Sequence, residues 1–363
     1  MDSTLGALLP LFFTERAAGR AVVLGILIHT AGSTYQRPGA LVCIAADGQF
    51  AGLISGGCLE GDLAEHAREV IAGAPARRIT YDLRDPNDLL WGLGAGCEGE
   101  MRILLVRVGP QEHWEPLAHL TEAYAAHRST AVGLVSESRD PHVALGALAL
   151  PGTGAHALLP EAARAALERA ADTSAPGEFE VPERYRLFLL PLALPPRLLL
   201  LGAGPDALPV VRLAAELHWK VTVADQRSAL ATPARFPAAE RVLTLAAEQL
   251  VTGLEVEGFQ AAVVMTHQLQ ADGDYLRALA RTSVPYIGLL GPAARAERLL
   301  EELGEDAHRV RARLHAPVGL DLGGRSPQAI ALSIVAEILA FLHGKAHGKA
   351  HGTAPGQTAA PRR

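Results

Sequence analysis

The sequence predicts an α/β protein of two domains, the second a Rossmann-like, doubly wound parallel sheet. The chain has 363 residues, 49% hydrophobic and 20% charged, which is enough for two cores. The apolar stretch 197–201 enters a glycine turn, and apolar strands then alternate with helices. We therefore expect an N-terminal α/β domain over 1–195, a Rossmann-like domain over 196–342 and a disordered tail over 343–363.

Composition argues against several classes of function. A net charge of -6 offers no basic surface for nucleic acid. No apolar run reaches the roughly 18 residues that a membrane span requires. Three scattered cysteines do not form a disulfide framework. We expect a cytoplasmic protein that has no membrane span and does not bind nucleic acid.

The first domain begins with a predicted helix over 3–19 and a strand over 21–29 that is apolar almost throughout, as a strand buried on both faces should be. A hairpin follows, with strands over 41–45 and 49–54 joined through Asp47-Gly48. Further along we expect helices over 112–127 and 160–171, and strands over 101–108, 131–136, 143–150 and 185–192.

The stretch 53–60 places Cys58 directly after Gly56 and Gly57, where the hairpin gives way to a helix. Amides and the dipole at a helix N-terminus favour a thiolate, and glycines admit a ligand close to the backbone. The carboxylate of Glu60, in the first turn of the helix, would instead raise the pKa of the Cys58 thiol. A small cysteine packed at a strand-to-helix turn is the alternative interpretation.

Two further segments of this domain carry similar chemistry. Ser33 and Arg37 lie in a glycine-flanked loop, where a hydroxyl and a guanidinium suit a phosphate-bearing ligand. A solvated connection has the same composition. Cys97 lies in a second glycine-rich stretch, 92–99, and gives a second thiol in the same chemical setting as Cys58.

The second domain opens with a dinucleotide fingerprint. Gly202 suits the tight turn, Gly204 the close approach of a pyrophosphate, and Ala207 the packing of the helix on the strand. Asp225 ends the next strand, at the spacing expected of a carboxylate that holds a ribose hydroxyl. Pro205 removes one amide from the anion site.

His267 follows a later strand of the predicted sheet, at the edge where ligands bind in open parallel sheets. It is a candidate proton donor or phosphate contact, and a hydrogen-bonded structural histidine is the alternative. The repeated histidines of the tail offer a weak metal site, although glycine in every repeat argues against a fixed helix.

Several stretches together resemble the XdhC/CoxI family, the accessory proteins of molybdenum hydroxylases such as xanthine dehydrogenase and carbon monoxide dehydrogenase. The resemblance covers nearly all of residues 5–342. The motifs that carry it are Gly32-Ser-Thr-Tyr-Gln-Arg-Pro-Gly39, Gly56-Gly-Cys-Leu-Glu60, Met265-Thr-His267, Tyr286-Ile-Gly-Leu-Leu-Gly291 and the run from Pro317 to Glu337.

This resemblance implies a cytoplasmic, homodimeric chaperone, and not an enzyme. It would bind molybdenum cofactor, assist its sulfuration with a sulfurtransferase and insert it into a hydroxylase client. Cys58 is then the expected metal ligand. The expected cofactor contacts are Ser33, Arg37, Gly56, Gly57, Cys58, Glu60, Cys97, Gly202, Gly204, Asp225 and His267. The alternative is an oxidoreductase that binds NAD(P) in its Rossmann domain.

Overall fold

The computed structural model describes residues 5–57, 59–82, 99–157 and 159–345. Its contacts divide the chain into two compact units, with the boundary between Pro195 and Pro196. None of the described helices is long and apolar enough to cross a membrane.

The first unit contains an antiparallel sheet whose described strands run in the order β3-β2-β1-β5-β4. These strands are β1 (Val22–Gly32), β2 (Leu41–Ala45), β3 (Phe50–Gly52), β4 (Arg77–Asp82) and β5 (Gly99–Val108). Three helices belong to the same part of the chain: α1 (Leu5–Ala17), α2 (Glu60–Ile71) and α3 (Leu117–Ala125).

Strand β1 is buried on both faces, which explains its nearly continuous apolar sequence. Leu24 and Ile26 pack into one core together with α1 and α3. Val23 and Leu27 point to the opposite face and pack into a second core with α2. The sheet is therefore covered on both sides, because alternate side chains of a strand point to opposite faces.

A second antiparallel sheet of the first unit has its described strands in the order β7-β6-β9-β8. The strands are β6 (Ala131–Ser138), β7 (Leu148–Ala149), β8 (Gly177–Val181) and β9 (Tyr185–Pro191), with helices α4 (Gly154–Ala157) and α5 (Glu161–Thr173). Val132 and Phe188 join the core that contains α1 and α3, while Ala131 and Leu187 pack with α5.

The second unit is a parallel sheet whose described strands run in the order β12-β11-β10-β13-β14-β15. The strands are β10 (Arg197–Leu201), β11 (Lys220–Asp225), β12 (Arg241–Thr244), β13 (Ala261–Val264), β14 (Ile287–Leu289) and β15 (Leu314–His315). The order reverses between β10 and β13, which is the switch point of a doubly wound sheet.

Helices cover both faces of this parallel sheet, so the expected Rossmann-like fold is confirmed. Helices α6 (Ala207–Glu216) and α11 (Pro327–Leu342) lie on one face. On the other face lie α7 (Leu250–Gly253), α8 (Leu269–Leu279), α9 (Ala293–Leu303) and α10 (Ala307–Arg311). As its sequence indicates, α11 begins with Pro327, and the Ser326 hydroxyl accepts the Ala329 amide at 3.2 Å.

Glu337 of α11 is a buried carboxylate that ties the helix to the sheet. One of its oxygens accepts hydrogen bonds from the Tyr286 hydroxyl at 2.6 Å and from the Gly319 amide at 2.7 Å. The other lies 3.8 Å from His315 Nδ1. Burial alone would raise the pKa of Glu337, but the nearby His315 imidazole and the hydrogen bonds from Tyr286 and Gly319 lower it to about 2.

Some sequence-based boundaries were wrong. The helix expected over 112–127 begins only at Leu117, because left-handed backbone at His113 and Trp114 interrupts it. The strand expected over 143–150 shortens to Leu148–Ala149, with turns before it. Four short strands were missed: β4, β8, β12 and β15.

Candidate functional site

The strands of the first sheet bring several predicted site residues to one end, here called the glycine end and marked by Gly32 and Gly99 of the sheet and by Gly57 of the turn before α2. Strand β1 finishes at Gly32, which pairs with Gly99 at the start of β5. Strand β4 finishes at Asp82, which pairs with Glu100. Strand β3 finishes earlier, at Gly52, which pairs with Val42 and so lies level with Gly25 of β1, and the chain then leads to the turn before α2.

Residues that flank the two glycine-cysteine stretches meet at the glycine end. The Tyr81 hydroxyl, at the end of β4, donates to Asp62 Oδ2 in the first turn of α2 at 2.5 Å. Tyr81 lies just before residues 83–98, and Asp62 lies four residues after Cys58 in sequence. Cys58 and Cys97 themselves lie outside the described residues. The structure nevertheless joins the segment that follows Cys58 to the segment that precedes residues 83–98.

Glu60 is the first residue of α2, and only one of its two carboxylate oxygens has hydrogen-bond partners among the described residues. Oε2 accepts hydrogen bonds from the Ser55 hydroxyl at 2.7 Å and the Leu59 amide at 3.1 Å. Oε1 is buried and makes no hydrogen bond to any described residue. A buried carboxylate oxygen without a partner is costly, and a ligand that donates a hydrogen bond would remove that cost.

The glycine pair that precedes Cys58 has open space around it. A Cβ built on Gly56 or Gly57 would meet no atom of the described residues within 4 Å, so packing against them does not require the absence of side chains there. Gly57 has φ +109°, a conformation that other residues rarely adopt. Ser33 and Arg37 are exposed, and within the described part of the chain their side chains have no hydrogen-bond or ion-pair partner.

Cys43, by contrast, lies in the core that contains α1. Its burial raises the pKa of the thiol to about 12, and the nearby Glu15 carboxylate acts in the same direction. Cys43 is therefore a packing residue and not a reactive thiol. Among the described residues, no three His, Cys, Asp or Glu side chains are grouped so that they could hold a metal ion.

The remaining predicted residues lie at the carboxyl edge of the parallel sheet, in the second unit. Gly202 follows β10 with φ +131°, and a Cβ there would lie 2.5 Å from the Met265 carbonyl oxygen. Gly204 is less confined, since its Cβ would lie 2.6 Å from Asp206 Oδ1, an atom at the end of a side chain. Gly202 lets the ends of β10 and β13 approach each other at the switch point.

Asp225 does not present a free carboxylate to a ribose. It is 1% exposed, and its oxygens accept hydrogen bonds from the Ala203 amide at 2.8 Å and from Arg227 Nε and Nη2 at 2.9 and 2.7 Å. Burial raises the pKa of Asp225, but the hydrogen bonds from Arg227 and the Ala203 amide outweigh it and hold that pKa below its usual value. Asp225 therefore has the spacing from Gly202 that the dinucleotide fingerprint expects, but its carboxylate is bound by Arg227.

His267 follows β13 and pairs with a residue that sequence reasoning missed. Its Nε2 lies 2.7 Å from Asp206 Oδ2, and Asp206 belongs to the turn after β10. The one sequence feature that could have indicated Asp206 is its position, as an acidic residue directly after the glycine turn. Behind His267, the hydroxyl of Thr266 donates to Asp272 Oδ1 at 2.5 Å, and Arg295 Nη2 donates to Asp272 Oδ2 at 2.5 Å.

Fold and sites together define a two-domain α/β protein with a glycine-lined end on one sheet and a Rossmann switch point on the other. Family models match in both halves: XdhC and CoxI family over residues 15–82, and XdhC Rossmann domain over residues 198–338. The chain belongs to the XdhC and CoxI family.

Individual relatives agree with this assignment. A protein of Bacillus subtilis (strain 168), named as a probable subunit of xanthine dehydrogenase, is 33% identical over 319 residues, which cover 87% of this chain and 92% of that protein. Uncharacterized protein YqeB of Escherichia coli (strain K12) is 34% identical over 149 residues, 40% of this chain and 27% of that protein. A crystal structure described as a xanthine dehydrogenase from Bacillus halodurans superposes with a TM-score of 0.75 at 27% identity, covering 94% and 97% of the two chains.

Proposed function

We propose that this protein is an accessory factor of a molybdenum hydroxylase, that it binds molybdenum cofactor at the glycine end, and that it assists sulfuration of the cofactor and its insertion into the client. Family membership supports the accessory role, and the name of the Bacillus subtilis relative supports a client of the xanthine dehydrogenase type. The observation that carries the cofactor site is the Tyr81–Asp62 hydrogen bond, which joins the first turn of the helix after Cys58 to the strand end that precedes residues 83–98.

The residues of the glycine end fit the donors and acceptors of a phosphorylated pterin. The pterin ring offers N–H groups, and the buried Glu60 Oε1 is an acceptor without a partner among the described residues. The phosphate requires cations and hydroxyls, which Arg37 and Ser33 present on an exposed loop. The open space at Gly56 and Gly57 admits a ligand close to the backbone.

The proposed role of Cys58 follows from its place in the sequence. It lies between Gly57 and Leu59, and α2 begins at Glu60. Near a helix N-terminus the thiolate form is favoured, and a thiolate is a soft ligand that suits a metal already bound to sulfur. Cys58 is thus the proposed metal ligand, and Cys97 is a second thiol that follows the strand end at Asp82 in sequence.

The proposal includes two protein partners, a sulfurtransferase and the hydroxylase client. A sulfurtransferase supplies the sulfur for the cofactor, and the hydroxylase receives it. We also propose that the protein acts in the cytoplasm as a homodimer.

Co-purification tests this function. The protein is produced in cells that make molybdenum cofactor, and bound molybdenum is measured by mass spectrometry and bound pterin by fluorescence after oxidation. We expect both in the wild type at similar molar amounts, and a large loss of molybdenum in Cys58→Ala. Arg139→Ala is the matched control, because Arg139 is an exposed arginine at the end of β6. Absence of both pterin and molybdenum from wild type contradicts the proposal.

The glycine turn after β10 supports a second candidate function, NAD(P) binding by an oxidoreductase. The occupied carboxylate of Asp225 argues against the usual ribose contact. Calorimetric titration with NAD(H) and NADP(H) separates the two candidates. Micromolar binding with turnover favours the oxidoreductase, and the absence of binding excludes that function.

A further inference from the structure

The Asp206–His267 pair joins the two strand ends that border the switch point of the parallel sheet. Asp206 lies in the turn that follows β10, and His267 in the turn that follows β13. The Asp206 side chain is 15% exposed and that of His267 is 60% exposed. The carboxylate therefore lies beneath the imidazole, and the imidazole faces solvent in the region where open α/β sheets bind ligands.

Helix capping does not account for Asp206. It is the N-cap residue of α6, a position where aspartate usually accepts a backbone amide of the first turn. Here its side chain makes no capping hydrogen bond. Oδ2 is directed to His267, and Oδ1 is buried without a partner among the described residues. The Asp206 carboxylate thus contacts the His267 imidazole and does not accept a backbone amide of α6.

The backbone of His267 is held in an unusual conformation. Its φ is +63°, in the left-handed region that costs a residue with a Cβ about 1 kcal/mol. The residues on either side fix this turn: the Gln268 amide donates to the Thr266 hydroxyl at 3.1 Å, and the Thr266 amide donates to Asp272 Oδ1 at 3.1 Å. Such strain persists where the surroundings hold it, and it is common at ligand sites.

The charges around the pair disfavour a phosphate group. Asp225 pairs with Arg227, and Asp272 pairs with Arg295, so of these three carboxylates Asp206 is the one without an arginine partner among the described residues. Pro205 has no amide to offer, and the Ala203 amide is already used by Asp225. The helix N-terminus that usually receives a pyrophosphate therefore presents a carboxylate instead.

The pair does offer a hydrogen-bond acceptor. An ionised Asp206 only accepts, so in the neutral pair the imidazole Nε2 carries the hydrogen and Nδ1 keeps its lone pair. Nδ1 makes no hydrogen bond within the described part of the chain. A group with an O–H or ring N–H, and without charge, is complementary to it.

We propose that the Asp206–His267 pair forms a second binding site, which takes an uncharged nucleoside and accepts a hydrogen bond from its ribose hydroxyl or ring N–H at His267 Nδ1. Bases and ribose supply such donors, and the switch point of an open sheet is the usual place for a nucleoside. The site lies wholly in the second unit, and its existence does not depend on the proposed cofactor role of the glycine end.

Titration of full-length protein with guanosine and with adenosine tests the site by calorimetry. We expect at least one nucleoside to bind, His267→Asn to weaken its binding about tenfold or more, and inorganic pyrophosphate not to compete. Asparagine tolerates left-handed backbone, so this variant retains the turn. Asp206→Asn should weaken binding as well, because an amide can donate to Nε2 and leave Nδ1 protonated.

His218→Asn is the matched control. His218 is also exposed and also left-handed, with φ +59°, but it lies after the C-terminal end of α6. We expect its nucleoside affinity to equal that of wild type. The proposal is overturned if neither nucleoside binds wild type, if all three variants bind equally well, or if pyrophosphate displaces the nucleoside. Equal melting temperatures establish that the variants are folded, and His267→Gly replaces His267→Asn if that variant does not fold.

Discussion

A Cβ built on Gly99 would lie 2.5 Å from the carbonyl oxygen of Ser33. The first residue of β5 thus supports the loop that follows β1, and this loop presents Ser33 and Arg37. The same Cβ would lie 2.6 Å from a side-chain carbon of Thr34. The absence of a side chain at Gly99 therefore sets the position of the proposed phosphate-binding loop.

Gly99→Ala should destabilise the first unit by about 2–3 kcal/mol, because two backbone oxygens and the Thr34 methyl would all have to move. Urea denaturation measures the change. Gly154→Ala is the control, since a Cβ there meets no atom of the described residues within 4 Å, and its stability should stay within about 0.5 kcal/mol of wild type. Equal stability of the two variants would show that loop 33–39 does not rest on Gly99.

Cys43 should resist alkylation in the native protein at pH 8. It is fully buried, and burial raises the pKa of its thiol to about 12. Peptide mass spectrometry after brief iodoacetamide treatment reports each cysteine separately, with urea-unfolded protein as the reference. Labelling of Cys43 at the unfolded rate would mean that this core opens readily.

Asp225→Asn should destabilise the second unit by about 2–3 kcal/mol, since Arg227 loses a buried partner that accepts two of its hydrogen bonds. Asp274→Asn is the matched control. Asp274 pairs with Arg277 on the partly exposed face of α8, where such pairs contribute about 0.5 kcal/mol. Chemical denaturation compares the two, and a loss in Asp225→Asn no larger than in the control would contradict the structural role of the pair.

Glu337 should make the second unit sensitive to acid. Its pKa is about 2 in the folded chain against 4.5 for an ordinary glutamate, so its stabilisation is complete above pH 4.5 and is lost as the pH falls toward 2. The shift corresponds to about 3 kcal/mol. Urea denaturation at pH 7, 4 and 3 should show that the difference in free energy of unfolding between wild type and Glu337→Gln becomes smaller as the pH falls. A gap that does not change with pH would indicate a role in packing alone.

Long apolar elements could be predicted from sequence, because their burial leaves a clear pattern. Strands β1 and β10 and the start of α11 lie close to where periodicity and capping residues place them. The short strands could not be found in this way. β4 mixes charged and apolar residues in Arg-Arg-Ile-Thr-Tyr-Asp, and β15 has only two residues held by pairing with β14.

The residue types of the site could also be predicted, but not their partners. Sequence spacing placed Asp225 correctly at the end of β11, yet only the structure places Arg227 over its carboxylate. His267 was a candidate on position alone, and its contact with Asp206 crosses 61 residues of chain. Such contacts depend on the strand order at the switch point, which a local pattern does not contain.

The central claim is that the glycine end binds molybdenum cofactor through the loop that carries Arg37. Its most direct test is the equilibrium binding of purified molybdenum cofactor to wild type, Arg37→Ala and Arg139→Ala, measured by ultrafiltration and pterin fluorescence. We expect Arg37→Ala to bind about tenfold more weakly, because a charged hydrogen bond to phosphate is lost, and Arg139→Ala to bind like wild type. Equal affinity in all three proteins, or no binding to wild type, would contradict this account.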